Sequence, residues 1–313
     1  MLFLRPSSDI MCAHWRPDLQ HSYDKDPDYL IEEAGRVCYK SEAKITSTSA
    51  HAFTKARRVT GHRSVLEHSW EVRMYTDFGD FGDLINKSFF SALTTNWPFL
   101  NFVSIHSSLY VAGNLRAFEE WETAYPSWKA ALYVKIEEMD VVKIVMAHGH
   151  TELLALTARF VCDRGVSHEA VRHRPMSPSQ ESSRYCDYGG LTKFIIPMWS
   201  RIRPGRYKSF FQWRLEWKFT DGLWYYAMAI SSRIYKCLRK CGWKPQQARA
   251  VLPNSLKTEL VITASLKEWM WIKKMRDDPA AHPQMRELMT PFFDDLLCFM
   301  PSQLRARCMD AWR

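Results

Sequence analysis

The densest run of chemically capable side chains is Arg172-His173-Arg174-Pro175-Met176-Ser177-Pro178-Ser179-Gln180-Glu181-Ser182-Ser183-Arg184-Tyr185. Arginine forks suit a bidentate grip on phosphate or on the polar edge of a heterocycle, and hydroxyls and an amide can complete such a grip. Met176 is the one non-proline aliphatic in the run, so it does not read as a core face. Pro175 and Pro178 predict an irregular loop from which these groups converge. Ser182 has arginine neighbours and no adjacent general base, which argues against a serine nucleophile. Cys186, directly after Tyr185, reads as a bystander thiol.

Metal chemistry is not expected. His168 and His173 are five residues apart, which puts them about 140° apart around a helix, so they do not share a ligand face. His62 and His68 are no better spaced, and Cys237 with Cys241 finds no second close pair to complete a zinc site. A Gly-x-Gly-x-x-Gly fingerprint is absent, so a dinucleotide would have to be held without a Rossmann unit.

The spacing Arg-His-Arg, seven residues, Ser182, then Arg184-Tyr185, resembles the signature of flavin-dependent thymidylate synthases. The resemblance extends to Gly61-His62-Arg63-Ser64-Val65-Leu66-Glu67-His68, to Gln247-Ala248-Arg249-Ala250-Val251-Leu252-Pro253, and to Arg276 with His282. It covers roughly residues 27–75 and 150–290, and Asn114-Leu115-Arg116-Ala117 resembles a segment of longer members. It implies reductive methylation of dUMP to dTMP, with methylene tetrahydrofolate as carbon donor and FAD recharged by NADPH. On the same ground dUMP would be held by Glu169, Arg172, Gln180, Glu181, Ser182, Ser183, Arg184, Arg249 and Arg276. FAD would lie against His62, Ser64, Arg172, His173, Arg174, Gln180 and His282. Arg276 would be the catalytic cation, favouring ionisation at uracil N3 by stabilising the developing negative charge. The resemblance also implies a homotetramer with shared active sites. The chain departs from the family at Glu169, which takes a Gln-like place, and at Ser265 and Trp271, where the family offers Asn side chains to the flavin.

Composition agrees with small anionic partners. Lys and Arg number 43 against 34 Asp and Glu, a formal charge of +9, which favours nucleotides or other polyanions. No run of five like charges occurs, so a nucleic-acid tail is not expected. Two rivals remain: a basic nucleic-acid-binding protein, and a nucleotide-binding relative that has lost flavin chemistry. Eight scattered cysteines predict free thiols in a reducing cytosol. The opening MLFLRPSSD is interrupted too soon for a signal peptide, and no apolar stretch approaches a membrane span. The expected setting is cytoplasmic.

The elements that must position these groups follow from periodicity and caps. Asp26-Pro27 opens a helix with Leu30, Ile31, Ala34, Val37 and Cys38 on one face. A second helix is expected over 49–59, and a capping box Ser64 to Glu67 predicts a short helix restarting at Val65. Strands are expected at 70–76, through Val103 to Val111, at 153–162 and at 193–199. Helices are expected over 115–138 with a break at Pro126, over 167–174, from 220 to 241, from Pro245, from Ser265 to Arg276, and up to Cys298. The aromatic row Trp213, Trp217, Trp224, Tyr225, Tyr226 reads as helix packing or a subunit interface. The expected fold is α+β: a helix-rich single domain, residues 1–313, around a mostly antiparallel sheet. Residues 77–150 are read as a family-variant insertion between the first strand and the signature motif.

Overall fold

The computed structural model describes residues 1–13, 26–76, 95–126, 133–208 and 214–312. Strands alternate with helices far apart in sequence. They are β1 (Leu2–Leu4), β2 (Ser7–Ala13), β3 (Trp70–Tyr75), β4 (Leu100–Ile105), β5 (Ser108–Asn114), β6 (Tyr133–Lys135), β7 (Ala155–Asp163), β8 (Met176–Gln180), β9 (Lys193–Ile195), β10 (Gly205–Arg206) and β11 (Lys257–Ser265). They form two antiparallel four-stranded sheets, ordered β2-β7-β11-β8 and β4-β5-β3-β6, and a mixed three-stranded sheet, β10-β1-β9. The chain is thus one α+β unit, as its patterning implied.

The central sheet is organised by β11, every residue of which is buried. It pairs with β7 on one side and β8 on the other. Side chains alternate between faces along a strand, and here the two faces differ in chemistry. Leu260, Ile262 and Ala264 join Phe160, Trp269, Phe292 and Phe293 in the main apolar core. Trp269 also donates its indole N–H to the Leu156 carbonyl at 2.9 Å. The opposite face carries Lys257, Glu259, Val261 and Thr263, and the helix Asp28–Tyr39 packs on it through Leu30, Ala34 and Val37 against Val261. Gly35 lets that helix approach the next one: a Cβ there would stand 2.7 Å from the Phe53 ring.

Polar groups buried on that second face are paired with one another. His68, fully buried, faces Thr263 Oγ1 from Nδ1 at 2.9 Å and Ser179 Oγ from Nε2 at 2.7 Å, and Thr263 meets Thr157 at 2.7 Å. Burial alone pushes the imidazole down to about 3, so His68 is neutral wherever the protein works.

Several elements agree with the periodicity: helices Asp28–Tyr39, Ser49–Val59, Phe219–Lys240 and Leu266–Arg276, the last capped by Ser265 accepting from Glu268 N at 3.2 Å. Others differ for identifiable reasons. The strand expected through Val103 to Val111 is a hairpin, because His106 takes positive φ (53°) and turns the chain between Ile105 and Ser108. The helix expected over 115–138 does break ahead of Pro126, running Leu115–Ala124, but Tyr133–Lys135 beyond the break is a strand that pairs with β3. Ser64 makes no cap bond; residues 63–68 form a 3-10 turn and Glu67 bonds Arg116. The helix expected over 167–174 runs Arg164–Ala170, started by Asp163 accepting from Val166 N at 2.8 Å. The loop expected across Pro175 and Pro178 is strand β8, and its Pro178 is tolerated because β8 is the sheet edge. Of the aromatic row, Trp217 and Tyr225 are core residues, while Trp213 lies outside the described residues.

Residues 100–114 and 138–148 are not a detached appendage: Val72, Val103, Ile105, Ala112, Val141 and Val145 belong to the same apolar cluster as β7 and β11. No helix among the described residues is long and apolar enough to cross a membrane.

The His68 network has a consequence for acid stability. Its folded value lies far below the ordinary 6.5, so between about 6.5 and 3 the unfolded chain binds the extra proton. Stability is complete above 6.5 and declines as pH falls, by on the order of 1.4 kcal/mol per pH unit. Urea unfolding at pH 7.5 and 5.5 should show this loss in the parent protein and a flatter dependence in His68→Gln.

Candidate functional site

Strand β8 decides how the motif is presented. Its residues alternate: Ser177 and Ser179 turn to the buried polar face, where Ser179 meets His68, while Met176 enters the apolar core. Beyond the strand, Glu181 N donates to the Glu259 carbonyl at 2.8 Å. The Glu181 carboxylate, 3% exposed, accepts from Lys257 Nζ at 2.8 Å. Lys257 also binds Glu259, which in turn accepts from Arg159 and, at 2.6 Å, from Lys40. Lys40 reaches Glu42 as well, at 2.7 Å. Three cations thus face three carboxylates. Burial would raise the Glu259 carboxyl, but the bonds from Lys257 and Lys40 prevail and hold it down at about 2.

Gln180 also points inward. Its amide donates to Ser167 Oγ at 2.7 Å and to Thr258 Oγ1 at 3.3 Å, fixing the helix Arg164–Ala170 against the strand end. The side chains of Gln180 and Glu181 therefore belong to the frame, and the groups offered outward begin at Ser182.

That outward end forms a first group. Ser182 N donates to the Cys38 carbonyl at 2.9 Å, tying the loop to the C-terminus of the helix Asp28–Tyr39. Arg249, exposed on a 3-10 turn, donates to Ser183 Oγ at 3.0 Å. Arg184 lies over the Tyr185 ring at 5.5 Å, and Tyr185 packs against Tyr39 with centroids 5.4 Å apart. The Tyr39 hydroxyl is 2.7 Å from His62 Nδ1, the two rings nearly parallel at 6.4 Å. Ser64 is exposed on the neighbouring 3-10 turn.

A second group forms around Arg276 and the segment that precedes β8. Arg276, the last residue of its helix, donates from Nε to His173 Nε2 at 3.0 Å and from Nη2 to the Glu169 carbonyl at 2.9 Å. Glu169 Oε2 stands 3.9 Å from Arg276 and Glu268 Oε1 stands 3.6 Å from His173 Nδ1. Since Nε2 accepts, the ring proton sits on Nδ1, facing the Glu268 carboxylate. Arg172 and Arg174 flank His173 and are exposed. His282, exposed at the start of the helix Pro283–Phe299, sits edge-on to Trp199 at 6.0 Å.

The residues singled out in the sequence are thus split. Ser182, Ser183, Arg184 and Arg249 gather with His62 after β8, and Glu169, Arg276 and His173 form a second group, with Arg172 and Arg174 beside His173 in the segment before β8. Sequence reasoning missed Tyr39 and the Lys40–Arg159–Lys257–Glu259 network. The alternation Ser177, Ser179, Glu181 was the available signal, hidden by the two prolines.

None of the eight cysteines is in a disulfide, and Cys186 adjoins the Ser182 loop. It is buried, its Sγ faces the Cys38 carbonyl at 3.6 Å, and burial pushes its thiol up to about 11. Such a thiol is protonated and a poor nucleophile. Among the described residues no cluster of three or more His, Cys, Asp or Glu could hold a metal ion.

Comparison with known proteins bears on the same residues. A family model described as thymidylate synthase complementing protein matches residues 116–302, a span that includes both groups apart from His62, Ser64 and Tyr39. The chain is 25% identical to a flavin-dependent thymidylate synthase of Thermococcus onnurineus over 52% of its length and 65% of that protein's. It is 26% identical to the enzyme of that name from Pyrococcus abyssi, over 55% of this chain and 69% of the relative. To the one from Corynebacterium glutamicum it is 30% identical, over 46% and 59% respectively. The chain therefore spans about two thirds of the length of the curated relatives it matches.

The environment of Cys186 predicts its reactivity. On brief alkylation of the native protein at pH 7.5, mass spectrometry should find Cys237, Cys241 and Cys298, all exposed, modified first. Cys186 should lag by more than tenfold, about what the loss of thiolate at a raised pKa implies.

Proposed function

Since this chain belongs to the thymidylate synthase complementing protein family, we propose that it is a flavin-dependent thymidylate synthase acting on dUMP, with methylene tetrahydrofolate as carbon donor and NADPH as reductant. The observation that carries the reading is the disposition of arginines around β8. Arg184 and Arg249 flank the hydroxyls of Ser182 and Ser183 after the strand, and Arg172, Arg174 and the His173–Arg276 pair form a second group with the segment before it.

The first group fits a nucleotide monophosphate. Two exposed guanidiniums flank a pair of serine hydroxyls, a donor set matched to phosphate oxygens. The second group fits a planar, ionisable ring. Arg276 is held by Glu169 and His173, so its charge is fixed in place and stabilises negative charge at uracil N3 without reorganising during the reaction. Glu169 offers its backbone carbonyl to Arg276, and that bond does not depend on a donor in its side chain. The departure from a Gln-like residue is therefore compatible with this role.

The residues present also fit FAD. Arg172 and Arg174 flank His173 with exposed guanidiniums suited to a pyrophosphate, and His62 and Tyr39, hydrogen-bonded edge to edge with nearly parallel rings, offer planar faces that suit a heterocycle. Ser265 is used as a helix cap and Trp271 is 51% exposed, so a flavin contact there falls to Trp271. The bound reduced flavin would supply hydride. The protein needs no nucleophile of its own, in keeping with the protonated, buried Cys186 and the base-free surroundings of Ser182.

Because the extended strand β8 lies between Arg174 and Ser182, a single nucleotide beside a flavin is most simply enclosed when the Ser182 group of one copy faces the Arg276 group of another. On that ground we propose sites shared between copies, within the homotetramer that the family resemblance implies and in a cytoplasmic setting where NADPH and dUMP are found.

The direct test is purified protein. A releasable yellow flavin, and dTMP formation requiring dUMP, methylene tetrahydrofolate and NADPH together, are the expected results; absence of both removes the reading. Arg276→Ala should keep its flavin while kcat falls by about a hundredfold or more, the scale of losing one fixed transition-state donor. Shared sites predict complementation: Arg184→Ala and Arg276→Ala, each inactive, should regain activity when co-refolded, since some sites then receive both intact ends. No recovery in the mixed oligomers would place each site within one copy.

A further inference from the structure

We propose that Lys257 is the positioning residue of the nucleotide loop, and that Glu181 acts through it rather than by touching the nucleotide. The inference deepens the reading of Ser182–Arg184 as a phosphate grip and rests on it.

Three observations carry it. The Glu181 carboxylate is directed into the protein, 3% exposed, and bound to a lysine that is itself 3% exposed. A carboxylate so placed has no face left for a ligand, although it sits one residue before Ser182. Second, Lys257 is the first residue of the fully buried β11, so its own position is set by the sheet. The charge pair transmits that position to the residue preceding the loop. Third, the same residue is held by its backbone: Glu181 N donates to Glu259 O at 2.8 Å, and Arg164 donates to Glu181 O at 3.2 Å. With side chain, N–H and carbonyl all fixed, Ser182 has little freedom, and its N–H bonds the Cys38 carbonyl at 2.9 Å.

The remainder of the network explains why a lysine is tolerated there. Glu259 bonds Lys257, Lys40 and Arg159, and Lys40 closes the helix that supplies the Cys38 carbonyl. One carboxylate on β11 therefore ties the loop's anchor to the helix against which the loop rests. Removing Lys257 would leave Glu181 and Glu259 buried and repelling, and the loop is the part free to move.

The test compares Lys257→Met, Lys257→Arg, Glu181→Gln and the double variant Lys257→Met/Glu181→Gln, with thermal melts confirming that each folds. For a positioning role, the dissociation constant for dUMP rises about tenfold in Lys257→Met and in Glu181→Gln, the scale of one charge-assisted hydrogen bond. In the assay KM rises while kcat holds within about twofold. The double variant should be no worse than either single, and Lys257→Arg should recover most of the affinity. Additive losses, or a loss with Glu181→Gln that Lys257→Met does not share, would overturn the proposal, because Glu181 would then contact the nucleotide itself. Should Lys257→Met fail to fold, Lys257→Gln, which also removes the charge, takes its place alone and in the double variant under the same criteria.

Hydrogen exchange at the amides of residues 182–186 separates this proposal from the reading beneath it. Loss of protection in each single variant, with none added in the double, supports the loop-setting role even if the parent protein takes up no dUMP. Unchanged protection in both singles overturns it whatever the protein binds.

Discussion

A buried strand that carries charge imposes the main constraint on this molecule. All nine residues of β11 are buried, yet they include Lys257 and Glu259. An isolated buried charge costs several kcal/mol, so each must find partners. The partners come from every element packed on that face: Arg159 from β7, Glu181 from the end of β8, Lys40 from the end of the first helix. Mispairing any of these would leave a charge buried alone. The apolar face of the same strand supplies driving force through Trp269, Phe160 and Phe292. The polar face supplies register.

That division explains which parts of the fold were legible. Helices with one apolar face, such as Asp28–Tyr39 and Phe219–Lys240, declared themselves by 3.6-residue spacing and by stop signals such as Gly242, which does take positive φ (89°). The edge strand β8 was hidden because its buried face is polar. Ser177, Ser179 and Glu181 read as surface residues until His68 and Lys257 are found opposite them. The turn at His106 carries neither Gly nor an Asn-Gly pair, so a hairpin read as one strand. In each case the missing information was a long-range partner.

The candidate site was legible in its residue types and less so in its arrangement. Spacing singled out the arginines, but it could not show that five strand residues hold Arg174 and Ser182 apart. Nor could it show that Gln180 and Glu181 are turned inward while Ser183 meets Arg249. A motif read along the chain suggests one cradle, whereas the extended backbone gives it two ends. The Arg276–His173 contact, joining residues 103 positions apart, has no local signal at all.

Charge follows the same logic and narrows what the protein can bind. The formal excess of +9 does not arise from the interior, since Lys257, Lys40 and Arg159 face Glu181, Glu259 and Glu42 in equal number. The surplus is carried outside, and at the motif it appears as Arg172, Arg174, Arg184 and Arg249, all exposed. A nucleic-acid surface would spread such cations along a track matched to a repeating backbone. Here they stand in two short groups, one beside paired serine hydroxyls and one beside a histidine whose tautomer is set by Arg276. On the proposed reading each group satisfies a different part of one small anion, or of two such molecules held side by side, and no polymer is called for.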